Sequence, residues 1–166
     1  MDFIIIFLII VINFIFQSTV LPSLGIFGVV PNTGIIIVVL VALIKGKNAG
    51  SMVGLLIGLL QDIIFSTVVG VNGIIYFFIG YIIGISEDKL SKDNLLIPIF
   101  LTLLSTLFYH LSYYLFMFFL GHNINFSAFF KQIVLLEMLY NGLLSILFYK
   151  LFNKIFTVPS IRFGKK

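Results

Sequence analysis

From Phe3 to Leu21 the chain runs without a single charged side chain, and apolar stretches of similar length follow one another almost to its end. A helix needs roughly 20 apolar residues to cross a bilayer, because each residue rises about 1.5 Å through a hydrocarbon layer about 30 Å thick. The sequence is therefore built for lipid around its helices. Charged residues make up 10% of the chain against 61% hydrophobic ones, whereas soluble domains carry about a quarter charged. Mean hydropathy is +1.24. In 166 residues there is room for about six spans with short loops and no separate aqueous domain, which predicts an all-α, polytopic six-helix transmembrane bundle.

Turn residues and polar punctuation divide the apolar sequence into Phe3–Leu21, Leu24–Ile44, Asn48–Phe65, Val71–Ser86, Leu95–Leu120 and Ala128–Asn153. The first segment lacks a preceding Lys or Arg and has the length of a span, so it reads as a helix and not as a cleaved leader. Pro31-Asn32 interrupts the second, leaving Ile35–Ile44 as its unbroken apolar part. That segment is either a kinked span or a short helix after a folded loop.

Loop charge alternates. Lys45 and Lys47, then Lys89 and Lys92, then Lys150, Lys154, Arg162, Lys165 and Lys166 fall on one side, leaving only Lys131 of the ten basic residues near the other. Basic residues stay on the cytoplasmic side during insertion. This predicts a multi-pass protein with both termini cytoplasmic, a single transmembrane domain over residues 1–156 and a basic cytoplasmic tail over 157–166. The tail either fixes topology and attracts anionic lipid or docks a cytoplasmic partner. Nucleic acid is not an expected partner, because no folded basic surface stands outside the membrane.

Apolar burial drives helix association weakly in lipid, so small and polar residues mark the faces that meet. Gly46, Gly50, Gly54, Gly58 and Asp62 recur every four residues, and Asn72, Tyr76, Gly80 and Gly84 answer them in the next span. The spacing predicts a tightly packed hairpin of those two helices. Stripes of the same period occur at Asn13/Gln17, Thr102/Thr106/His110 and Glu137/Asn141/Ser145. They are either the inner surface of the bundle or the lining of a cavity or partner groove.

Ionisable groups inside lipid are expensive. Counting about 1.5 Å per residue, Asp62 and His110 sit at similar depth in the outer half, with Glu137 about a turn deeper. An Asp62–His110 hydrogen bond or ion pair is therefore expected, as a structural clasp in preference to a proton relay. Catalytic and metal chemistry find little to use. There is no Cys, His110 and His122 lack ligand spacing, and the serines form no recognisable triad with a base. No catalytic residue, metal or cofactor is expected.

One stretch is more specific: Gly50-x3-Gly54-x3-Gly58-Leu59-Leu60-Gln61-Asp62, followed by Gly70-x-Asn72-Gly73-x2-Tyr76-x3-Gly80-Tyr81. With Pro31-Asn32 and Lys45-Gly46 it resembles MreD, the rod shape-determining membrane protein family of bacteria. The chain departs from that pattern at Asn32, where many members carry an acidic residue. The resemblance implies a non-enzymatic scaffold of the cell-elongation machinery in the bacterial inner membrane, acting in cell shape and lateral peptidoglycan synthesis. Implied partners are an MreC-like bitopic protein, an MreB-like filament and a RodA-like polymerase with its transpeptidase, and homo-oligomers are compatible with the same faces. Asp62 is the first residue it points to. It also implies a bundle similar to the substrate-binding components of energy-coupling-factor transporters, which makes a vitamin-binding transport component the alternative. Those components commonly present small residues on the first span, whereas Phe3–Phe16 contains no Ala or Gly.

Overall fold

The computed structural model describes residues 2–25, 27–87, 94–122 and 125–156. Lys89 and Lys92, as well as the tail over 157–166, lie outside the described residues. Every regular element among those described is helical: α1 (Asp2–Ile15), α2 (Thr33–Phe65), α3 (Val71–Ile85), α4 (Leu96–Phe119), α5 (Phe126–Phe129) and α6 (Leu135–Phe156). α1 continues through a wider π turn at Phe16–Val20 into a 3-10 turn at Leu21–Leu24, and a second π turn, Phe130–Val134, joins α5 to α6. Four helical stretches, Phe3–Leu24, Thr33–Phe65, Leu96–Phe119 and Phe126–Phe156, are long and apolar enough to cross a membrane, and Val71–Ile85 is a shorter apolar helix.

As a straight rod, the 33 residues of α2 would reach about 50 Å, well beyond a hydrocarbon core. Gly46 prevents this. Its φ of 80° and ψ of −176° lie outside the helical region, in a conformation that only glycine adopts without strain. The two arms fold back on each other. A Cβ placed on Gly50 would meet the Ala42 Cβ at 2.5 Å, and one on Gly34 would meet Ile57 at 2.8 Å and Gln61 Nε2 at 2.9 Å. Residues 33–45 thus run antiparallel to residues 47–65, with backbones close together at both ends of the hairpin.

The first arm is the centre of the molecule. Residues from Ile35 to Leu43 are all buried, and α2 touches α1, α3, α4 and α6. A helix that is apolar on every face belongs inside a bundle. It also begins later than the sequence suggests: the segment expected from Leu24 is helical only from Thr33, after non-helical backbone containing Phe27 and Gly28 at positive φ. The short-helix-after-a-loop alternative describes this segment. Asn32 starts the helix by accepting from Ile35 N–H with its side chain.

α3 lies along the second arm of α2 with almost nothing between the backbones. A Cβ on Gly58 would meet the Asn72 carbonyl at 2.5 Å, one on Gly50 would meet the Gly80 carbonyl at 2.9 Å, and one on Gly84 would collide with Lys47 Cα. Tyr76 carbonyl occupies the space beside Gly54. The four-residue glycine spacing therefore marks a backbone-to-backbone seam, the arrangement by which small residues let membrane helices pack. α6 packs on α4, with Leu103 against Gly142, and turns its opposite side outward: Leu139, Leu143, Leu147 and Leu151 are each more than half exposed. Glu137, Asn141 and Ser145 are buried.

Candidate functional site

Asp62 is fully buried near the end of the second arm of α2. Five residues, 66–70, turn the chain from that arm into α3, and the first N–H groups of any helix lack intrahelical acceptors. Asp62 supplies them. Its Oδ2 accepts from Gly70 N–H at 2.9 Å and Gly73 N–H at 3.0 Å, and its Oδ1 from Asn72 N–H at 3.1 Å. A carboxylate also suits the positive end of the α3 dipole. Every hydrogen bond drawn for Asp62 goes to this turn, so the expected Asp62–His110 pair does not form. The two groups face different neighbours.

His110 instead meets Glu137. Its Nε2 lies 3.0 Å from Glu137 Oε2. Both side chains are buried, and the imidazole is flanked edge-on by Tyr109 and Phe129 at centroid distances of 5.0 and 5.5 Å. Glu137 is thus within reach of His110, at the start of a helix that follows the π turn Phe130–Val134.

From Glu137 the polar contacts spread through the bundle. Asn141 Nδ2 donates to Glu137 Oε1 at 3.4 Å and to Thr106 Oγ1 at 3.0 Å, while Asn141 Oδ1 accepts from the backbone N–H of Asn32 at 2.8 Å. That last bond satisfies a donor at the buried start of the central helix, where no water competes. Asn32 Oδ1 accepts from Gln61 Nε2 at 3.2 Å, and Gln61 Oε1 accepts from the Tyr76 hydroxyl at 2.8 Å. On the opposite flank Thr33 donates to Asn13 Oδ1 at 2.6 Å and approaches Gln17 Oε1 at 3.2 Å. Asn72 bridges Ser66 and Tyr109. Side chains from α1, α2, α3, α4 and α6 are therefore joined at one end of the bundle.

Beside this network a cavity of about 310 Å³ opens between the arms of α2, the α2–α3 turn and α4. Four carboxamides, Gln17, Asn32, Gln61 and Asn72, and the hydroxyls of Ser66, Tyr109 and Tyr113 contribute to its lining, with Pro22, Val30 and Phe65. Two larger grooves are almost purely apolar: one of about 690 Å³ between α1 and α6, and one of about 440 Å³ between α3 and α4. No group of three or more His, Cys, Asp or Glu suited to a metal ion occurs among the described residues.

Of the residues singled out from sequence, Gly50, Gly54, Gly58, Gly80, Gly84 and Tyr76 line the α2–α3 seam, while Asn13, Gln17, His110, Glu137 and Asn141 enter the polar network. Thr33 and Tyr109 were missed, and Asn32, Gln61 and Asn72 were read only as parts of a motif or stripe, although all five make side-chain hydrogen bonds in this network. Asn32 did leave a signal, since an Asn directly before an apolar run is a helix-start residue.

The family model for rod shape-determining protein MreD matches residues 1–155, nearly the whole chain. No curated protein and no solved structure matches it.

Proposed function

Because the chain belongs to the MreD family of rod shape-determining membrane proteins, we propose that it is a non-enzymatic scaffold of the cell-elongation machinery, holding wall-synthesis proteins in place during lateral peptidoglycan growth. The family match carries this reading. The geometry supports it in a second way: most buried polar groups are spent on one another and on helix ends, while the outward faces are apolar ridges and grooves suited to neighbouring membrane helices. Partners by family are an MreC-like bitopic protein, an MreB-like filament and a RodA-like polymerase with its transpeptidase. The transporter alternative gains no support from the comparisons and is set aside.

In this reading each arm of α2 is one crossing, which gives six spans in the inner membrane. The Gly46 turn, with Lys45 and Lys47, and both termini are cytoplasmic, and the Ser66–Gly70 turn faces outward. Lys45 Nζ lies 4.9 Å from the centre of the Phe156 ring, so the Gly46 turn and the end of α6 share one face, as this topology requires. Depletion of the protein in its rod-shaped host tests the function. Rounded cells with dispersed wall insertion, restored by re-expression, are expected; retained rod shape with normal sidewall insertion overturns the proposal.

A further inference from the structure

We propose that the polar cavity between α2, the α2–α3 turn and α4 binds a single neutral sugar ring. Its volume of about 310 Å³ stands at the small end of ligand pockets, which run from about 300 to 1,000 Å³, and so suits one ring and not a chain. Carboxamides carry a donor and an acceptor side by side, the pairing that a sugar hydroxyl offers in return. Tyrosine rings add apolar faces with a polar tip. The two larger grooves expose almost no polar surface, so a polar lining sets this cavity apart from them.

Much of the wall is already fixed. Asn32, Gln61 and Asn72 are buried and held by the bonds from Gln61 to Asn32, from Tyr76 to Gln61 and from Tyr109 to Asn72. Among the lining groups without a hydrogen-bond partner are the amide nitrogen of Gln17, whose oxygen alone accepts from Thr33, and the Tyr113 hydroxyl, which has none among the described residues. They are free to meet a ligand. No charged side chain is among the lining residues, and the nearby Asp62 carboxylate is committed to three backbone N–H groups. A charged ligand would lose hydration without finding a counter-charge; a neutral one with several hydroxyls would not.

Only the compartment that supplies the sugar depends on the topology proposed above, because binding to the purified chain is independent of orientation. Saturation-transfer NMR on the full-length protein in detergent, with N-acetylglucosamine and glucose against glucosamine and glucuronate as charged probes, tests the site. Transfer to the neutral sugars with affinity of order 1–10 mM is expected, at least about fivefold weaker for the charged ones. Tyr113→Leu should reduce it by a similar factor with unchanged melting temperature, and Gln17→Leu should do so in protein that still folds. No transfer to either neutral sugar, equal transfer to the charged probes, or full binding in both folded variants overturns the proposal. If either variant does not fold, the comparison of neutral with charged probes on the unaltered chain decides it alone. A cavity found filled by a detergent or lipid chain that neutral sugars do not displace also overturns it.

Discussion

Replacing Asp62 by Ala removes the acceptor for three backbone N–H groups, those of Gly70, Asn72 and Gly73. The Gly70 donor sits in a partly exposed turn, where water can replace the carboxylate. The other two are buried, and a buried donor left without a partner costs about 1–3 kcal/mol. Hydrogen bonds measured inside membrane bundles fall toward the lower end of such ranges. Together these give about 3 kcal/mol for Asp62→Ala. Asp62→Asn is milder. An amide oxygen placed where Oδ2 stands keeps the bonds to Gly70 and Gly73, but its NH2 then faces Asn72 N–H, so about half of the loss is expected. Unfolding of the purified protein by SDS, followed by far-ultraviolet circular dichroism, gives the order wild type, Asn, Ala. Hydrogen exchange at residues 70–73 should accelerate in the Ala variant. An Asp62→Ala protein that unfolds with the wild type yet fails to support rod shape would refute the clasp and give the carboxylate a partner outside the bundle.

Gly54→Ala places a methyl against the Tyr76 carbonyl, and Gly80→Ala places one against Gly50. Each should cost about 1–3 kcal/mol by overpacking in the same SDS assay, whereas Gly28→Ala, with open space at that Cβ, should cost only its positive-φ strain of about 1 kcal/mol. His110→Ala leaves Glu137 buried opposite an empty site and should destabilise by about 3–5 kcal/mol, while the His110→Leu, Glu137→Leu double variant should recover most of that loss; equal instability of the two would refute the pairing. Because the chain has no Cys, single-cysteine variants report topology without background. Thr67→Cys should react with a membrane-impermeant maleimide from outside intact spheroplasts, and Asn48→Cys only after lysis.

That these polar groups sit inside the bundle was legible in the sequence, and the neighbour each one meets was not. Counting residues placed Asp62 and His110 at one level, but a helix side chain also has a direction around the axis, and hydropathy alone does not fix which neighbour lies there. For Asp62 the local signal was available. Gly70, Asn72 and Gly73 follow it closely in the chain, and a helix opening so soon after a buried carboxylate is its nearest source of donors. For Glu137 the count left the partner open, and the contact with His110 follows from the packing of α6 on α4. The glycine stripe carried further, since four-residue spacing fixes both a face and its closeness of approach. Gly46 was read as one member of that stripe, and its positive φ makes it instead the turn on which the central hairpin closes.

Lipid also separates what holds this bundle together from what can address a partner. Inside, the glycine seam and the polar network are made of contacts whose removal leaves either a clash or an unpaired group, so substitutions there change folding and shape together. Outside, Leu139, Leu143, Leu147 and Leu151 are directed away from the bundle, and exchanging one apolar surface side chain for another in lipid changes folding little, because lipid tails are as apolar as the residues themselves. A shape defect arising from a Leu→Ala change on that ridge, in protein that is inserted and unfolds normally, would therefore report a contact with another membrane protein. The same defect from Asn141→Ala, which strips the Asn32 N–H of its acceptor, would carry no such information until its stability had been measured.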